Sequence, residues 1–153
     1  ITWGSGSAQI SLAIQLSGQG NALTNGSAVA LGTVLDNTGV SGGPCFYGLA
    51  ELVCSASGYA AAVSAGNTID FYMVPSRDAT NYMDADVTGA VLPSNHFRGS
   101  FIVTTSGNNR ARMGIESVPL MPTKYTGYIK NNLGQTLTSG WSCFITTYPE
   151  AYT

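Results

Sequence analysis

Histidine, cysteine and carboxylate side chains are the groups from which this chain could build a reactive site, and it has few of them. His96 is the single histidine among 153 residues, so any mechanism that uses imidazole as acid or base depends on it. It stands in Pro93-Ser94-Asn95-His96-Phe97-Arg98, at the entrance to a strand, and reads as an ordinary strand-edge histidine. No phosphate-binding loop and no His-Glu-x-x-His pattern occurs. Asp78, Asp84 and Asp86 gather in one irregular segment, but Asp84-Ala85-Asp86 lacks the further oxygen ligands and closing Glu of a calcium loop. Cys45, Cys54 and Cys143 show no Cys-x-x-Cys spacing, and each reads as a small buried hydrophobe. Arg110 and Arg112 lie two apart, hence on one face of a strand, as an intersubunit or carboxylate contact would place them. The expectation is a protein with no catalytic, cofactor or metal site.

Charge and composition narrow the class further. Only 9% of the residues are charged, against roughly 25% in an ordinary soluble domain. Polarity comes from neutral groups instead, with 16 Ser, 16 Thr and 10 Asn. A net charge of −2 lacks the basic footprint of a nucleic-acid binder. A 44% hydrophobic content with few charges excludes disorder, and no apolar run reaches the roughly 18 residues that span a bilayer. Eight Tyr, five Phe and two Trp provide rings enough for sugar stacking. Phe71, Phe97, Phe101 and Trp141 nevertheless fall in strand runs, where packing into a core is the default.

The elements that must position these residues are strands. Ala8, Ile10, Leu12, Ile14 and Leu16 alternate with Gln9, Ser11, Ala13 and Gln15, a period of two that a helix would scatter. Further runs are Ala28 to Leu35, Phe46 to Ser57, Thr68 to Val74, Phe97 to Thr105, Arg110 to Val118, Tyr125 to Asn131 and Trp141 to Tyr148. In the third of these further runs Ile69, Phe71 and Met73 face one way, Asp70 and Tyr72 the other. Gly-, Pro- and Asn-rich stretches punctuate the runs, and Asn131-Asn132-Leu133-Gly134 reads as a hairpin connection. The expected fold is all-β, a single antiparallel β-sandwich domain over residues 1–153 and an eight-stranded jelly roll in topology. Residues 1–7 are expected to form an extended N-terminal arm that adds to a neighbour's sheet edge. The long segment from Pro75 to Asn95 is expected to be a functional loop.

Several stretches carry a family likeness. Ile69 to Tyr82 (IDFYMVPSRDATNY), Phe97 to Phe101, Tyr128 to Leu137 (YIKNNLGQTL) and the closing Ser142 to Pro149 resemble small jelly-roll virion structural proteins of tailed bacteriophages, of the capsid decoration or cement type. Ala79 stands where that pattern has Gly, which touches only turn geometry. The resemblance spans residues 68–149 and brings no catalytic residues with it. It implies a non-enzymatic protein on the capsid surface of a virion, binding the major capsid protein and stabilising the head. Copies of itself are the second expected partner, as a homotrimer under closed symmetry. The alternative is a carbohydrate- or receptor-binding module of a phage tail or fibre, with a glycan as partner. Trp3, Arg77, Asp78, Tyr82, Asp84, Asp86, Arg110 and Arg112 are the expected interface residues, and nucleic acid and membrane are not expected partners.

Overall fold

The computed structural model describes residues 9–12, 23–38, 44–54, 61–76, 78, 80–81, 94–104, 111–138 and 141–148. Strands dominate them: β1 (Gln9–Leu12), β2 (Ala28–Asp36), β3 (Tyr47–Cys54), β4 (Thr68–Ser76), β5 (Phe97–Ile102), β6 (Ala111–Pro119), β7 (Lys124–Asn132) and β8 (Trp141–Tyr148). They form two antiparallel sheets, in the orders β1-β8-β3-β6 and β2-β7-β4-β5. The chain is therefore all-β and sandwich-like. Period-two alternation supplies the reason, because it gives each sheet one apolar face and leaves the two faces to bury against each other.

One continuous core lies between the sheets. Leu52 of β3 and Cys143 and Ile145 of β8 meet Ile69, Phe71 and Met73 of β4, Phe101 of β5 and Ile129 of β7, all fully buried. The Phe71 and Phe101 rings pack tilted at 51° with centroids 5.6 Å apart, a pairing worth about 0.5–1.5 kcal/mol beyond the area it buries. Strand β4 continues past the expected end at Val74, through Pro75 to Ser76. Proline is tolerated there because β5 leaves β4 at Tyr72, while β7 stays paired to Ser76, so among the described strands Pro75 has a neighbour on one side only.

Two sequence expectations are corrected by this topology. Asn131 to Gly134 is not a hairpin connection: β7 pairs with β2 and β4, whereas β8 pairs with β1 and β3, so the chain crosses between sheets here. A local turn signal cannot distinguish return to the same sheet from passage to the opposite one, since that choice rests on distant partners. Phe97, expected in the core, is instead 42% exposed on the outer face of β5.

Close approach of the sheets fixes one glycine. Gly99 has φ +139°, and a Cβ there would lie 2.9 Å from Cγ2 of Ile115 on the opposite sheet. Both the backbone conformation and the space exclude a side chain. Gly99→Ala is expected to cost about 1–3 kcal/mol, read as a lower denaturant midpoint with an unchanged slope. In β6, Glu116 and Ser117 together oppose Leu49, and Ser117 takes φ 56° to make this bulge.

Candidate functional site

Two surfaces stand out, one at an end of the sandwich and one on the outer face of the second sheet. At the end, the start of β3, the end of β6 and the β6–β7 connection converge. Phe46, Tyr47 and Met121 are 45%, 46% and 53% exposed, and Pro119 and Pro122 beside them are exposed as well. The Leu120 N–H donates to the Phe46 carbonyl at 2.8 Å, and Tyr47 pairs with Pro119 across the strands. This backbone pairing brings three exposed large apolar residues to one end of the sandwich, near the Asp36–Lys124 ion pair, and grouped apolar exposure is the kind of surface that marks an interface.

Asn37 holds that patch in place from beneath. It is buried, and its Nδ2 donates to the Cys45 carbonyl at 2.7 Å and to the Met121 carbonyl at 2.8 Å. Its Oδ1 accepts from the Cys45 N–H at 3.0 Å, and its own backbone N–H donates to Thr123 at 3.1 Å. One amide thus ties together the end of β2, the segment before β3 and the β6–β7 connection. Tyr125 adds a second tie, its buried hydroxyl accepting from the Met121 N–H at 2.6 Å. Burial pushes the Tyr125 phenol up, so it stays a neutral hydrogen-bonding group.

The second surface follows the register of β2, β7, β4 and β5. Ala28, Lys130, Asp70 and Ser100 form one row across the strands, and Ala30, Tyr128, Tyr72 and Phe97 form the next. Asp70 accepts from Ser100 Oγ at 2.7 Å and from Asn132 Nδ2 at 2.8 Å, one bond to each carboxylate oxygen. The Tyr72 and Phe97 rings meet edge to face, centroids 5.5 Å apart at 63°. Tyr72 and Tyr128 are buried with Val74 in a small apolar cluster on this outer face, and Phe97 alone of the row presents its ring. Desolvation, with the Asp70 charge second, pushes the Tyr72 phenol up.

Of the residues expected from sequence to form an interface, Asp78 is described in full. Its Oδ1 accepts from the Asn81 N–H at 2.8 Å and the Thr80 N–H at 2.9 Å, and its Oδ2 from Asn81 Nδ2 at 2.7 Å. These bonds, led by that from the Asn81 N–H, hold the exposed carboxyl well below the usual carboxylate range. Asp78 thus organises the turn that leaves β4. Arg112 is placed on β6, paired with Val53, by its backbone alone. Trp3, Arg77, Tyr82, Asp84, Asp86 and Arg110 lie outside the described residues, as do residues 1–7 and most of the Pro75 to Asn95 segment.

His96 ends a short 3-10 turn, Ser94–His96, and is 7% exposed. Cys45 and Cys143 are buried free thiols, and desolvation pushes Cys143 up to about 12, so it carries no thiolate at neutral pH. Among the described residues no three His, Cys, Asp or Glu side chains come together to hold a metal ion.

Sequence reading passed over Phe46, Tyr47, Met121 and Asn37. The prolines that bracket Leu120-Met121 and the Gly-Gly-Pro before Cys45-Phe46-Tyr47 are the available signal, because they mark where strand runs end or begin. Comparison with family models, curated proteins and solved structures gives no match.

Proposed function

We propose that this chain is a non-enzymatic virion structural protein, a jelly-roll decoration or cement protein that binds the major capsid protein and copies of itself, as a trimer, and stabilises the head. The observation that carries this reading is the rigid apolar end, where Phe46, Tyr47 and Met121 are exposed over the Asn37 clamp. Such a patch gains free energy only when covered, at about 25 cal/mol for each Å² removed from water. The sheet orders β1-β8-β3-β6 and β2-β7-β4-β5 support the jelly-roll part, being what two interlocked Greek keys produce. Low charge fits close packing of many copies, since it limits their mutual repulsion.

The test is the protein content of purified particles from the phage whose genome encodes the chain. The wild-type chain is expected in particles in fixed ratio to the shell protein. The Phe46→Ser, Met121→Ser double variant, still folded by circular dichroism, is expected to be missing from them, with earlier head rupture on heating. Particles that retain the double variant in full, or that lack the wild-type chain, would overturn the reading.

A further inference from the structure

The strip of the second sheet around Phe97 and Asp70 has a use that capsid binding does not absorb. We infer that this strip binds a neutral hexopyranose glycan, with Phe97 as the stacking platform and Asp70 as the acceptor for sugar hydroxyls. The two halves of sugar recognition are an aromatic face for the C–H side of the ring and fixed polar groups for the hydroxyls. Both lie here in adjacent rows of one sheet.

Phe97 is 42% exposed, yet its ring is held by the edge-to-face contact with the buried Tyr72. A platform fixed in this way loses little conformational entropy on binding. Asp70 is fixed as well, because Ser100 and Asn132 each donate to one of its oxygens. Every carboxylate oxygen keeps further acceptor capacity after one bond, so a pair of neighbouring sugar hydroxyls can donate to Asp70. Lys130 stands beside Asp70 in the register and supplies donors for the hydroxyl oxygens. In a chain with 8 acidic and 6 basic side chains, one of each placed side by side on a sheet face among Ser and Asn is a local concentration of polar groups. The carboxylate also disfavours acidic sugars, which makes the neutral class the fitting one.

The experiment titrates the isotope-labelled full chain with maltohexaose, cellohexaose and chitohexaose, following amide shifts by NMR. Saturable shifts centred on residues 70, 97, 100 and 130 are expected with at least one of the three. Phe97→Ala and Asp70→Asn are each expected to weaken that binding about tenfold or more, equal to about 1.4 kcal/mol or more. Met121→Ser, at the far apolar end, is expected to leave it unchanged, which separates this site from capsid attachment. No saturable shift with any of the three sugars at about 10 mM, where even weak lectin-type affinity registers, would overturn the inference. So would full retention of binding by both Phe97→Ala and Asp70→Asn.

Discussion

Asn37→Ala is expected to lower stability by about 3–4 kcal/mol, out of the 5–15 kcal/mol typical of a whole domain. The substitution removes three side-chain hydrogen bonds, to the Cys45 carbonyl, the Met121 carbonyl and the Cys45 N–H. Each bond is worth about 1 kcal/mol net, and the groups left behind add the cost of buried unsatisfied polar atoms. Calorimetry should show the midpoint about 6–16 °C lower, given about 2–4 °C for each kcal/mol at this size. The effect also has a direction in space. Backbone amides at Cys45, Phe46, Leu120, Met121 and Thr123 should exchange hydrogen faster, while those of central β4 and β7 keep their protection relative to global unfolding. A drop below about 1 kcal/mol would mean that the three segments hold their geometry without the clamp. Because Phe46 and Met121 ride on those segments, the variant should also weaken any contact made by the apolar end.

Asn131 is expected to give an effect of similar size at the opposite end. It is fully buried, its Nδ2 donating to the Leu23 and Gln135 carbonyls, both at 2.8 Å. Its Oδ1 accepts from the Leu133 N–H at 2.9 Å. These bonds fasten the crossover from β7 to the isolated bridge between Leu23 and Leu137, and Asn25 and Asn67 reinforce it through Gly134 and Leu133. Asn131→Ala should therefore cost about 3 kcal/mol. Asn131→Asp is the sharper experiment. At neutral pH it faces two carbonyl oxygens with a carboxylate in place of a donor, which should cost at least as much as the alanine variant. Protonation restores one donor, so the folded state raises the pKa of the new carboxyl above its unfolded value. A raised carboxyl stabilises below the unfolded pKa and loses that contribution as pH rises through the folded one. The Asp variant should thus recover stability relative to the alanine variant as pH falls from 7 toward 4. Parallel pH profiles for the two would show that the side-chain amide is not oriented by those carbonyls.

Both asparagines mark where sequence reading stopped. Strand positions were legible because alternation is local: Ile69, Phe71 and Met73 against Asp70 and Tyr72 declare two faces whatever the rest of the chain does. The direction of burial on β4 was legible for the same reason. Its outer face was not, since Tyr72 and Val74 are buried in a second cluster with Tyr128 that alternation assigns to solvent. A buried asparagine has no periodic signature at all. Asn37 follows a strand like any turn residue, and only the approach of Met121, 84 positions away, turns its amide into a clamp. The Asn131 motif was noticed as a pattern and read as a hairpin, because a turn former near a strand end looks the same in either setting. The candidate surfaces were less legible still: Phe46 and Met121 are remote in sequence, and Asp70, Ser100, Lys130 and Asn132 come from three strands.

The sequence by itself determined the all-β character, the run of strands and the side of β4 that enters the core. These follow from side-chain period and turn chemistry, which act over a few residues. Tertiary structure decided which strand pairs with which, hence that β7 and β8 belong to different sheets. It also decided which polar side chains are enclosed and which apolar ones stay in water. Those outcomes depend on the free energy of contacts between segments tens of residues apart, where register and satisfied hydrogen bonds select one arrangement from many that share the same local pattern.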